Sequence, residues 1–429
     1  MTAVDAFREL LRIPAVAGDD ALLDELLGAL RRRYPLLHER LELTRVGSHG
    51  LLFRWAGASA EGPVVLMAHL DVVPAEGDWT HPPFGGDVVD GVVWGRGTLD
   101  CKGSLAALCQ AVEDLLARGV TPARDVWLSF GCDEEVAGES AGLAVRELTR
   151  RGVRPWFVLD EGGAVAHDAF PGVGVPMAVI GVTEKGMTSL ELRVDGRGGH
   201  AATPARHGPT ARLARAITRL DRAPMPAAVP DATVELLRRA ARHARGPIRY
   251  ALAAGVRSRP LLARLLPAAG PEAAAMVRST IAVTTLRASP SLNVVASTAT
   301  AGVNIRVLVG DTVAGVVAHV RKVIADDRVH VRVLEQAEPS PSAPLDEAFE
   351  LLERTVTAHF PAAVTSPYVT MAATDARHFT AICPRVYRFT PFEMTRQQRE
   401  AIHGADEHVS VAGFHTAIAW YATLISDLP

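Results

Sequence analysis

Between Val64 and Asp160 the chain repeats one design four times: an apolar, β-branched run ends in a short cluster holding a carboxylate or a histidine. The runs read VVLMAHLDVVP, GVVWGRGTLDCKGSLAAL, VWLSFGCDEEVAGES and PWFVLDEGG. Short apolar runs bounded by turn residues are buried strands, and strands alternating with helical stretches predict an α/β fold, a mostly parallel sheet flanked by helices. Such sheets bind ligands just beyond their strand ends. The clusters place His69, Asp71, Asp100, Glu134, Glu135 and Asp160 there. Imidazole and carboxylate are zinc donors, and there are more carboxylates than one ion needs. The pattern therefore predicts convergence on a pair of metal ions.

At 429 residues the chain is long enough for about two or three domains. A net charge of −3 gives no electrostatic case for nucleic acid as a partner. Cys101, Cys109, Cys132 and Cys383 form no CxxC pair, which suits a reducing compartment. MTAVDAFRELLRIP carries Asp5, Arg8 and Glu9 and does not read as a signal peptide. No uncharged apolar run approaches the ~20 residues of a membrane span. The expectation is a cytoplasmic protein.

Near Lys185–Gly186 the pattern changes. Residues 188–194 alternate as a strand does and lead into the glycine-rich DGRGGHAATP. Residues 232–280 are rich in Ala, Arg and Leu and read as helices broken at Pro247, Pro260 and Pro267. Strand patterns return at 281–286, 292–295, 301–309 and 329–334, with a helix over 312–325. This block predicts an α+β domain inserted at 186–338 and left through EPSPSAP, between catalytic-domain pieces at 1–185 and 339–429. The last piece carries AATDARHF and IHGADEH.

Taken singly, these motifs have ordinary explanations. H-x-D at His69 and Asp71 also occurs in surface loops, an aspartate between strand and helix is often a cap, and adjacent acids are usually solvated. At a strand end, however, alternation points His69 and Asp71 to one side, so Asp71 can hold the imidazole while His69 binds metal. Neighbouring Glu134 and Glu135 project differently, which suits one general base and one ligand. The phosphate-loop patterns GxxxxGK[ST] and GxGxxG are absent.

In order, H-x-D, GRGxxDxKG, DEE, a strand-terminal acid, GGHAATP and IHG make a specific set. The chain resembles the dinuclear zinc peptidases and deacylases that include acetylornithine deacetylase, succinyl-diaminopimelate desuccinylase, aminoacylase and carboxypeptidase S. The resemblance implies two Zn2+, with Co2+ or Mn2+ as alternatives. His69 and Asp160 would bind one, Glu135 and His403 the other, with Asp100 bridging across a cis Asp100–Cys101 peptide. It also implies Glu134 as the base acting on a metal-bridged hydroxide, Asp71 behind His69, and His200 as the oxyanion donor, often across a dimer interface. Asn293 and Arg306 on the inserted lid, with Thr374 and Asp375, would contact substrate; Arg377, His378 and Glu407 are further candidates to line the pocket or to hold the metal ligands from behind. Ala372 and Ala373 stand where relatives commonly have Gly-Gly.

Asp160 rather than a glutamate, together with the wording VLDEGG, TEKGMTSLEL and DEEVAGES, is most similar to the carboxypeptidase S branch, which includes enzymes acting on N-fatty-acyl amino acids. The implied reaction is hydrolysis of the amide bond of an N-acyl amino acid or short peptide bearing a free carboxylate. The alternatives are a dipeptidase, a small N-acyl deacylase or an inactive binding homologue, and a homodimer through the lid is implied. Leu261, Leu262, Leu265 and Leu266 lie among arginines. They read as ordinary packing beneath a solvated basic face, with shelter for an acyl chain as the alternative.

Overall fold

The computed structural model describes residues 2–170 and 172–429. Its larger sheet has ten strands, ordered Glu42–Val46, Gly50–Trp55, Arg124–Gly131, Ser59–His69, Phe157–Asp160, Val386–Arg388, Met177–Glu184, Ala164–Ala166 and Glu393–Met394, with Val364–Thr370 also paired to Met177–Glu184. The centre is parallel: Ser59–His69 runs with Arg124–Gly131 on one side and Phe157–Asp160 on the other. The flanks include antiparallel pairs, so the sheet is mixed, with its parallel strands at the centre.

The uninterrupted apolar character of the central strand follows from burial on both faces. Val64, Leu66 and Ala68 pack into one core with helices Lys102–Ala117 and Val411–Ser426. Val65 and Met67 point the other way, into a core with Ser140–Arg150. Only the last stretch of Ser59–His69 is buried, and it delivers His69 at its C-terminal end.

A second, antiparallel sheet is ordered Thr280–Arg287, Thr298–Val307, Gly186–Asp195 and His330–Ala337. Gly186–Asp195 and Thr298–Val307 alternate between buried and less buried residues. Their inner faces pack on Pro209–Arg222 and Val313–Ile324. Leu286 and Leu334, on the two edge strands, are exposed.

The span 186–338 is divided between cores. Helix Asp231–His243 presents Val234, Leu237 and Ala240 to Val173, Met177, Val364 and Tyr368 of the larger-sheet region. Its apolar residues recur at helical spacing and need a covering surface, which the larger sheet supplies.

The chain crosses between sheets twice, at 184–186 and 337–340, and the crossings are bonded together. Ser340 N–H donates to Glu184 O at 3.2 Å, and Thr183 Oγ1 donates to Ser340 O at 2.6 Å. A Cβ on Gly186 would lie 2.5 Å from Ala337 O and 2.6 Å from Pro339 N, so this position admits no side chain without backbone movement. Gly186→Ala is expected to cost about 1–3 kcal/mol by overpacking. Denaturant unfolding checks it; an unchanged midpoint and slope would show that the crossing yields freely.

Candidate active site

The site assembles where the larger sheet's parallel strands end. His69 is 2 % exposed, and its Nε2 lies 2.9 Å from Asp100 Oδ1 and 3.2 Å from Glu161 Oε1. Its Nδ1 faces the backbone oxygen of Asp71 at 2.9 Å. With the ring proton on Nδ1, donated to that carbonyl, Nε2 turns a lone pair toward the two carboxylates. A cation satisfies all three groups.

The second imidazole arrives from late in the chain. His403 Nε2 lies 3.0 Å from both Asp100 Oδ2 and Glu135 Oε2. Asp100 thus has one carboxylate oxygen against each imidazole. The Asp100–Cys101 peptide is cis, as the resemblance implied. Donor atoms of His69, Asp100 and Glu135 fall within 4.8 Å of one another, and so do those of His69, Cys101 and Glu161.

Asp160, expected beside His69, is placed otherwise. Its Oδ2 accepts the Ala376 N–H at 2.9 Å, so this carboxylate holds the 374–376 backbone, and Glu161 approaches the imidazole instead. Successive side chains leave a strand in opposite directions. A one-residue displacement at the end of Phe157–Asp160 therefore exchanges the two acids. The DE dipeptide was visible in the sequence, but its register at the strand end was not.

Asp71 also differs from expectation. Its carboxylate accepts the N–H groups of Glu134 and Glu135 at 3.3 and 3.1 Å, while Oδ1 stands 3.5 Å from His69 Nδ1. The short turn Glu134–Val136 begins with unpaired N–H donors, and a carboxylate at that end satisfies them. Asp71 therefore orients both glutamates through their backbone and touches the imidazole mainly through its carbonyl.

Burial raises the Glu134 carboxyl well above its usual range; His69 opposes the shift, while Glu161, Asp375 and Asp100 add to it. Glu161 is raised likewise, by burial and then by Asp100. His403 is pushed up to about 10 by its bonds to Asp100 and Glu135. Glu135 Oε1 is buried with no partner among the described residues. Crowded acids with an unpaired buried oxygen suit divalent cations, which offset like charge and occupy free lone pairs.

Glu407, a lesser candidate from sequence, joins the two halves of the site. Its buried carboxylate accepts from Leu99 N at 2.7 Å, Gly97 N at 3.0 Å, Asp100 N at 3.1 Å and Arg96 Nη1 at 2.7 Å. Arg96 Nη2 donates to Gly404 O at 2.9 Å. The pair thereby sets the Asp100 loop against the loop carrying His403. Arg96 was missed; its only sequence signal was an arginine between the glycines of GRG.

A second buried pair supports the 371–375 loop. Thr374 N and Oγ1 donate to Glu184 Oε2 at 3.1 and 3.0 Å, and Arg388 Nε donates to the same oxygen at 2.9 Å. The Thr374 hydroxyl is thus committed to Glu184 rather than free for substrate. Asp375 is buried beside Gly131, and burial followed by Asp160 pushes its carboxyl up to about 7. His378 Nε2 is buried without a partner among the described residues, while Arg377 is partly exposed.

The lid residues stand apart. His200 lies on the short strand Gly199–His200, paired with Val294–Val295, and Ala201 N–H donates to Asn293 O at 3.1 Å. His200 and Asn293 are exposed, and Arg306 lies mid-sheet between Met187 and Thr280. Among the described residues, no hydrogen bond or ion pair links these three to the cluster around Asp100.

Two imidazoles and a set of buried carboxylates at the strand ends of an α/β sheet define a metallohydrolase centre. The sequence model for Peptidase family M20/M25/M40 matches residues 65–427, and the chain belongs to that family. It is 37% identical to the human protein named N-fatty-acyl-amino acid synthase/hydrolase PM20D1, over 85% of this chain and 74% of that one. It is 33% identical to a probable carboxypeptidase S-like 2 of Dictyostelium discoideum, over 93% of this chain and 78% of the relative. In fold it is similar to an M20 family metallo-carboxypeptidase of Sulfolobus solfataricus, with a TM-score of 0.75, 16% identity and 99% of each chain covered.

Partners that hold a metal site from behind set its affinity, typically by 10–100-fold. Glu407→Gln is therefore expected to weaken divalent-metal binding by about that factor, measured by titrating chelator-stripped protein. An affinity equal to that of the unaltered chain would remove Glu407 from this role.

Proposed function

We propose that this chain hydrolyses the amide bond of an N-acyl amino acid or short peptide with a free carboxylate, using two divalent metal ions. The observation that carries the reading is the Asp100 carboxylate, with its oxygens 2.9 Å from His69 and 3.0 Å from His403. His69 and Glu161 would hold one ion, Glu135 and His403 the other, and Asp100 both. Glu161 takes the place assigned to Asp160 from sequence. Mixed nitrogen and carboxylate donors suit Zn2+, with Co2+ or Mn2+ also accommodated. When bound, such ions polarise the scissile carbonyl and acidify water.

The remaining work falls to the chain's own side chains. Glu134 takes a proton from the attacking water and returns it to the leaving nitrogen. Its backbone N–H is fixed by Asp71, so the carboxyl stays aimed at one place while it carries the proton. The metal-side role of Glu135 begins from the same anchored turn.

His200 is assigned the oxyanion of the tetrahedral intermediate, reached from a second copy of the chain. Its exposure and its separation from the cluster support that route, as do the exposed leucines on the lid's edge strands, which suit a homodimer. Asn293 lies beside His200, next to the strand that pairs with Gly199–His200, and would enter with it. Arg306 is the candidate grip for the substrate carboxylate, where a guanidinium makes paired bonds. The relative named as an N-fatty-acyl-amino acid hydrolase favours a long acyl group over a dipeptide or small acyl substrate. No described helix is long and apolar enough to cross a membrane. All four cysteines are buried and free, which supports a reducing, cytoplasmic setting.

Chelation is expected to abolish release of amine from N-acyl amino acids, with recovery on adding Zn2+ or Co2+; activity surviving complete metal removal would sink the reading. Glu134→Gln should keep both metal equivalents and lose about 10²–10⁴-fold in kcat. Elemental analysis distinguishes the neighbouring acids. Glu161→Ala should lose one equivalent, whereas Asp160→Asn should retain both; the reverse result would restore Asp160 as the ligand.

A further inference from the structure

Between Glu235 and Glu272 the chain contains no acidic residue, yet arginine recurs throughout. Arg238, Arg239 and Arg259 are paired with Glu235, Glu353 or Asp231. Arg242, Arg245, Arg249, Arg257 and Arg264 are exposed and form no ion pair among the described residues. They lie on or beside three successive helices, Asp231–His243, Gly246–Gly255 and Arg259–Leu265.

Apolar side chains stand among them in solvent. Tyr250 is 75% exposed, Leu265 50%, Leu261 40% and Ile248 37%. The same helices turn Leu262 into the core, with Leu252, Val256 and Leu266 packed against it. Their inner face is already covered, so the outer leucines are surplus to internal packing. Leu261, Arg264 and Leu265 sit at i, i+3 and i+4 and share one helical face. Of the four leucines singled out from the sequence, Leu262 and Leu266 pack inward, whereas Leu261 and Leu265 point outward.

We propose that this face docks on an anionic phospholipid surface. Leucine and tyrosine interleaved with arginine are the composition of helices that lie in a bilayer interface, apolar groups among the acyl chains and cations at the headgroups. A second copy of the same face is disfavoured, because unpaired arginines would meet arginines. A nucleic acid would use the cations but gain little from Leu261 and Leu265, and the chain as a whole carries a charge of −3. The inference does not depend on which amide the active site cleaves.

The test uses the full-length, metal-loaded protein in sedimentation with phosphatidylcholine vesicles, with and without phosphatidylglycerol. Binding is expected only to the anionic vesicles and should fall steeply with added salt. Arg257→Glu with Arg264→Glu should weaken it by more than roughly fivefold for each arginine altered. Leu261→Ser with Leu265→Ser should weaken it too, while both double variants keep the wild-type melting temperature and hydrolyse a soluble substrate normally. Equal binding to both vesicle types, no binding to either, or wild-type binding by the charge-reversed variant would overturn the proposal. Retention on duplex DNA without vesicle binding would also overturn it, in favour of a polyanion.

Discussion

One aspartate shared between two imidazoles is the constraint around which the rest of the molecule is arranged. Asp100 sits 2.9 Å from His69 and 3.0 Å from His403, residues separated by most of the chain. Gathering further acids around it opposes folding of the bare chain, since buried like charges raise one another's pKa values and disfavour ionisation. Metal bound there would reverse that term and become part of the stability of the folded state. Ions held by these residues would supply positive charge where an amide oxygen develops negative charge.

The geometry is maintained largely through backbone N–H groups held from behind. Glu407 collects three N–H groups of the Asp100 loop and the Arg96 guanidinium, Asp71 collects those of Glu134 and Glu135, and Asp160 takes Ala376. Each buried carboxylate fixes a loop that bears a proposed site residue. Glu184 with Arg388 extends this support to Thr374 and, through Ser340, to the crossing into the lid. Breaking a buried pair by removing one partner typically costs about 3–5 kcal/mol, because the remaining charge is left uncompensated. The supporting shell is therefore less tolerant of substitution than its distance from the reacting bond suggests.

The motif residues were legible where chemistry and spacing coincide. His69, Asp100, Glu135 and His403 follow from clusters at strand ends together with the family resemblance, and they meet in space. The acid beside His69 was assigned one residue early, because a terminal peptide can turn either Asp160 or Glu161 inward with little change in local preference. The 231–275 helices read as part of the inserted domain by contiguity, yet Val234 and Leu237 cover the larger sheet. Their amphipathic pattern says that a face is buried, not against which element. Arg96 stood inside the GRG motif with no role to be read from it, since only its fully buried partner Glu407 gives it one.

What the sequence determined by itself is local: which apolar runs of the first half are strands and which donor side chains follow them. Apolar periodicity and donor chemistry act over a few residues and need no knowledge of the partner. Tertiary structure alone decided which acid faces His69, which carboxylates hold backbone and which remain free, and which core receives each amphipathic helix. These outcomes depend on strand register and on contacts between segments hundreds of residues apart, where one residue of displacement exchanges an inward side chain for an outward one.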